Sequence, residues 1–142
     1  MTVQTLSTTA PVLAMTDGFV LGGPGRVLRA EGLAVLALTV YGFHAIGGSW
    51  RWFAALFLTP DLSMLGYLAG RRVGAIAYNS AHSYLGPALL GAAGLALSAP
   101  LPTQLALIWA AHIGFDRALG YGLKYPTAFG HTHLGPAGRD KS

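Results

Sequence analysis

The sequence predicts an all-α protein, a membrane-embedded antiparallel bundle of four transmembrane helices. Three observations lead there. The chain is 53% hydrophobic and 10% charged, with a mean hydropathy of +0.50, which leaves too few charges to solvate the surface of a globular domain of this size. Four apolar stretches reach the roughly 20 residues that a helix needs to cross a bilayer. The basic residues then fall almost wholly on one side of the alternating spans, although the net charge is only +4. That asymmetry is a topology signal, so the expected partner is the lipid bilayer and no nucleic acid.

Residues 1–24 are rich in Thr, Gly and Pro, hold Asp17 in a weakly apolar run and lack a basic n-region. They do not resemble a cleaved signal peptide and read as a flexible N-terminal tail. Residues 25–124 form the transmembrane domain. Its first span covers about 27–46 and carries Glu31, and the turn Gly47-Gly48-Ser49 follows. The second, about 50–70, opens with Trp50 and Trp52 as interfacial anchors and is interrupted by Pro60-Asp61. Gly66 and Gly70, four apart, permit close helix approach and would support a homo-oligomer.

The third span, about 73–98, follows Arg71-Arg72 and carries Tyr78, Asn79 and His82 ahead of Pro87. Helical spacing places these three polar residues on one face. After Pro100-Leu-Pro102 the fourth span, about 103–121, sets Trp109, His112 and Asp116 on one stripe. Residues 125–142 form a C-terminal tail holding His131-Thr-His133. Arg26, Arg29, Arg71, Arg72, Lys124, Arg139 and Lys141 share the side of the termini and only Arg51 falls opposite, so both termini should be cytoplasmic. His44 reads as an interface residue at the far end of the first span.

Measured by helix rise from the basic edge, Glu31 lies at roughly 7 Å, Asp116 at 12 Å, Asp61 and His82 at 15 Å and His112 at 18 Å. An ionisable side chain in hydrocarbon costs at least about 2.5–3.5 kcal/mol, so one or more on every span at matching depth argues for a shared polar site. With no cysteine in the chain, thiolate ligands and nucleophiles are excluded. Asp61, His82, His112 and Asp116, with Glu31 as a further candidate, form a ligand set suited to a divalent metal such as Zn, Mn or Fe. The Glu-x-x-His pairs of di-metal bundles are absent; His112-x-x-x-Asp116 is a loose variant.

Without metal, the same groups can act as general acid and base or as a proton relay. Tyr78, Asn79, Arg117, His131 and His133 are candidates for a supporting layer, with Arg117 able to hold an anion or pair with Asp61. Three functional readings follow. One is a metal-dependent or acid/base enzyme with hydrolase-like or proton-transfer chemistry on a small lipophilic substrate. The others are a proton-coupled transporter or carrier, and a structural protein whose buried polar groups only specify helix packing.

Four ordered stretches are similar to the DUF4260 family (domain of unknown function 4260) of small bacterial integral membrane proteins. They are Phe57-Leu-Thr-Pro-Asp-Leu-Ser-Met-Leu-Gly-Tyr67, Gly74-Ala-Ile-Ala-Tyr-Asn-Ser-Ala-His82, the run from Ile108 to Lys124, and Phe129-Gly-His-Thr-His-Leu-Gly135. The resemblance implies a small helical protein of the bacterial inner membrane and places the Asp61, His82, His112, Asp116 and His131/His133 motifs in the family's set. It implies no reaction. With the tail motif included, His131 and His133 are expected in a lid over the cytoplasmic mouth.

Overall fold

A computed structural model describes residues 18–20 and 22–136. The expected tail at 1–17, together with Arg139 and Lys141, lies outside the described residues. Five α-helices follow in order: α1 (Gly22–Ala45), α2 (Trp50–Leu56), α3 (Arg71–Ala81), α4 (Leu85–Ala96) and α5 (Pro100–Leu119). A 3-10 helix, Thr59–Ala69, stands between α2 and α3, and a two-stranded ribbon, β1 (His131–Thr132) and β2 (Gly135–Pro136), follows α5. The protein is therefore all-α apart from this ribbon. Two helical stretches, Gly22–Ala45 and Trp50–Ala69, are long and apolar enough to cross a membrane.

α1 and α5 cross where each lacks a side chain. A Cβ at Gly32 would meet the Cβ of Arg117 and lie 3.0 Å from the Gly114 carbonyl, and a Cβ at Gly114 would lie 2.8 Å from the Gly32 carbonyl and the Leu36 nitrogen. The backbones touch directly, as small residues allow. The α4–α5 pair uses the same device, Gly94 against Thr103 and Gly91 against Ala106. Gly66, expected to serve an oligomer, is turned inward onto Ala77 and Gly74 of α3. Gly70 ends the 3-10 helix at φ +111°, where a side chain would be strained.

The second and third expected spans are each divided. In the second, Pro60 has no N–H to bond the Leu56 carbonyl, and the Thr59 hydroxyl donates to that oxygen at 2.7 Å instead. The chain continues as eleven residues of 3-10 helix, an unusual length for that form. With three residues per turn, Leu62, Leu65 and Leu68 stack along one exposed edge at 64, 63 and 88% exposure. The third span ends at Ala81 and restarts at Leu85. Pro87, third in α4, would collide with the Ser83 carbonyl if the helix ran through, so the break falls just before it.

The N-terminal boundary also moves. Residues 18–20, expected within the tail, dock on the ribbon: Val20 N–H donates to the His133 carbonyl at 2.8 Å and Tyr125 OH to the Gly18 carbonyl at 3.1 Å. Arg29 closes the end of α5 by donating to the carbonyls of Ala118 and Leu119 at 3.1 and 3.2 Å, groups that no intrahelical donor can reach.

Gly114→Ala is expected to cost about 1–3 kcal/mol by forcing α1 and α5 apart. Gly23→Ala, whose Cβ would meet nothing within 4 Å among the described residues, should be neutral or stabilising by less than about 1 kcal/mol. Melting temperatures of the two variants in one detergent decide the matter.

Candidate metal centre

The break between α3 and α4 builds the first wall of the site. A helix end leaves its last carbonyls without intrahelical donors, and in an apolar chain those oxygens need other partners. At this end Tyr78 O accepts both the backbone N–H and the ring Nδ1–H of His82, at 2.8 and 2.9 Å. Ala81 O accepts the Trp109 indole at 2.6 Å, and His82 O accepts the Arg117 guanidinium at 3.2 Å. Because a carbonyl only accepts, Nδ1 of His82 carries the ring proton and its Nε2 lone pair points the other way.

That lone pair faces three more ligand atoms. His82 Nε2 lies 3.1 Å from His112 Nε2, 3.3 Å from Asp61 Oδ1 and 3.5 Å from Asp116 Oδ2. His112 Nε2 lies 3.5 Å from Asp61 Oδ1 and 3.8 Å from Asp116 Oδ2. One atom from each of the four residues falls within 4.8 Å of every other. Ligands bonded tetrahedrally at about 2.0–2.1 Å stand about 3.3–3.4 Å apart; the five separations that involve a histidine, 3.1–3.8 Å, lie near that value, and the whole set spans up to 4.8 Å. The group could hold a metal ion.

The surroundings hold the four in place. His82 and His112 are 2 and 1% exposed and Asp116 14%, while Asp61 is 39% exposed and is the accessible member. The Tyr78 ring stacks on His82 at 3.7 Å between centroids, and its hydroxyl donates to Asp116 Oδ2 at 3.1 Å. Phe57 covers His112 edge-on at 5.4 Å. His112 Nδ1 is buried without a hydrogen-bond partner among the described residues.

Of the five residues expected to converge, the structure brings four together. Glu31 stands apart on an exposed face of α1, because the neighbouring Gly32 occupies the crossing with α5 and the next side chain projects about 100° away. Arg117 makes no ion pair with Asp61 or Asp116 among the described residues; its guanidinium bonds the His82 carbonyl and approaches His133 Nδ1 at 3.5 Å. Asn79 does not bond His82. Its side chain exchanges two hydrogen bonds with the Lys124 backbone, at 2.9 and 2.7 Å, and so pins the C-terminal segment to α3.

The Nδ1 atoms of His131 and His133 are engaged by Thr127 and by the Leu123 N–H, at 3.2 and 2.8 Å. Lys124, counted in the sequence as a marker of the basic edge, is buried. Its ammonium sits 3.4, 4.6 and 5.3 Å from the ring centroids of Phe129, Tyr78 and Tyr67, and burial lowers its pKa. The roles of Trp109 and Lys124 were not legible in the sequence. The helix break before Pro87, which creates the need for Trp109, was the available signal.

A family model described as a domain of unknown function (DUF4260) matches residues 25–137. The chain belongs to the DUF4260 family. No curated protein and no solved structure matches it. All four cluster residues of this DUF4260 chain, and the ribbon with His131 and His133, lie inside the matched region.

Burial, then the charge of Arg117, hold the His133 pKa below its ordinary 6.5. The unfolded chain therefore binds this proton more readily than the folded one, and His133 contributes fully above about pH 6.5 and loses its contribution as pH falls through the folded value. The stability advantage of wild type over His133→Ala should accordingly shrink as the pH drops from about 7.5 to about 5. Paired thermal melts across that range measure it, and a constant or growing advantage would contradict the assignment.

Proposed function

We propose that this chain is a four-span bacterial inner-membrane protein, with both termini cytoplasmic, that binds one divalent metal ion between Asp61, His82, His112 and Asp116 and uses it for hydrolytic or proton-transfer chemistry on a lipophilic substrate. The observation that carries the metal reading is the mutual spacing of four ligand atoms. Its charge balance supports the same conclusion: two carboxylates and two neutral imidazoles offset a dication, which is the cheapest way to keep any of them in an apolar interior. The fixed tautomer of His82, with Nε2 free, is the form a metal requires.

The membrane reading is supported by exposed apolar side chains: Leu38, Leu68, Leu95 and Leu97 are 70, 88, 72 and 76% exposed. Apolar surface on that scale suits lipid as the solvent and would drive association in water. Arg29, Arg71 and Lys124 all make contacts at the end of the molecule where α5 stops and the ribbon packs, in keeping with a single basic, cytoplasmic side.

Four protein ligands fill a tetrahedral zinc ion, whereas catalytic zinc keeps a position open. An active centre therefore calls for an ion of five or six ligands, such as Mn or Fe, or for Asp61, the exposed ligand, to yield its place to water or substrate. In that arrangement the ion supplies Lewis acidity, Tyr78 orients Asp116, and Phe57 keeps water from His112. The full ligand count also favours a second reading, a structural ion that locks the 3-10 helix, α3 and α5 together.

Protein purified in detergent should contain about one equivalent of a transition metal by elemental analysis, falling below about a tenth in His82→Ala and His112→Ala. Wild-type protein with less than about a tenth of an equivalent, unchanged by either substitution, would refute the site. Asp61→Ala separates the two readings: retention of metal with loss of cellular function supports the active centre, and loss of metal together with a lower melting temperature supports the structural ion.

A further inference from the structure

We propose that Lys124 is the subsite that holds a phosphate group of the substrate, next to the four-residue cluster. The inference names the substrate class of that site; it rests on the metal reading for its charge balance, though not for the position of the subsite. Lys124 is 9% exposed, and its ammonium carries N–H donors that burial strips of water. Asn79 bonds only the backbone of this residue. Among the described residues the ammonium itself makes no hydrogen bond and no ion pair, and its neighbours are the rings of Phe129, Tyr78 and Tyr67, at 3.4, 4.6 and 5.3 Å.

Aromatic faces attract a cation but are weak hydrogen-bond acceptors, so the donors stay unsatisfied. Burial works against the charge, and Asp116 and then Asp61 favour it. The Tyr67 hydroxyl, on a ring of the same cage, is likewise buried without a partner among the described residues.

Cage and cluster adjoin. The Tyr78 ring is 4.6 Å from the ammonium and stacks on His82 at 3.7 Å between centroids, and those two steps laid end to end put the ammonium no more than 8.3 Å from the centre of the His82 ring. The 3-10 helix joins them a second time. With three residues per turn, Asp61 and Tyr67 fall on one of its edges, and the first enters the cluster while the second enters the cage. Asp61 is the accessible ligand at 39% exposure, and Phe129, 51% exposed, is the accessible wall of the cage.

Charge selects the occupant. Asp61 and Asp116 neutralise a bound dication, which leaves Lys124 and Arg117 as cations beside the cluster with no carboxylate partner among the described residues. A phosphate monoester, dianionic near neutral pH and rich in acceptor oxygens, offsets both and satisfies the ammonium. Without metal, by contrast, the same cations balance the two aspartates and no anion is required.

Labelled inorganic phosphate, dialysed to equilibrium at about pH 8, where it is dianionic, against wild-type protein in dodecyl maltoside, should bind saturably at one phosphate per chain. Lys124→Met and Lys124→Gln, neutral and similar in length, should each weaken binding about tenfold with metal content unchanged. Wild-type protein that holds a full equivalent of metal but no phosphate overturns the subsite alone. So does undiminished binding in either folded variant, or loss of metal or of folded protein in both, which marks Lys124 as a packing residue. Lys124-dependent phosphate binding without metal leaves the subsite and overturns the metal centre, and absence of phosphate and metal alike overturns both. Dioleoyl phosphatidate that displaces the label at about a tenth of the concentration needed with glycerol 3-phosphate identifies a lipid headgroup as the source; the reverse order identifies a water-soluble ester.

Discussion

The carbonyl oxygens freed where α3 stops are the constraint on which the site depends. Pro87 forbids a continuous helix, and in an apolar chain the exposed acceptors must be bonded by protein. Ala81 O takes the Trp109 indole and His82 O takes Arg117, and both bonds tie α3 to α5 beside His112 and Asp116. Tyr78 O, already bonded by the His82 N–H, accepts the His82 ring as well and so sets its tautomer.

The 3-10 helix solves a related problem on the opposite wall. Its period of three keeps Leu62, Leu65 and Leu68 on one outward edge, and Gly66 lets α3 approach closely. Asp61 enters the cluster from the first turn of that helix. The Thr59 hydroxyl replaces the hydrogen bond that Pro60 cannot donate, so the deformation leaves no orphaned acceptor at Leu56. The C-terminal segment completes the enclosure through Asn79, Lys124 and His133, holding Tyr78 between the cluster and the aromatic cage around Lys124.

Much of the candidate site was legible because burying charge is costly. His112 and Asp116 share a helical stripe, and Asp61 and His82 stand at matching distances along neighbouring segments; periodicity and rise were enough to bring these four together. Glu31 met the same depth criterion and failed, because depth along a helix does not specify azimuth, and Gly32 claims the inward face. The burial of Lys124 was not legible for a different reason. Tyr67 of the 3-10 helix, Tyr78 of α3 and Phe129 in the turn before the ribbon surround its ammonium, a contact that no local pattern encodes.

By itself the sequence determined the helical class, the approximate limits of α1 and α5, the places where proline must disturb the chain and the residue types available to a metal. These follow from local rules: hydropathy over a window, helical spacing and backbone donors that proline lacks. Tertiary structure alone decided that the chain after Pro60 continues as a 3-10 helix, which carbonyls Trp109 and Arg117 serve, and that Glu31 faces outward. Those outcomes depend on which backbones touch, at Gly32 with Gly114 and at Gly66 with Gly74, and such contacts between segments distant in sequence set rotation about each helix axis, a variable that local periodicity leaves open.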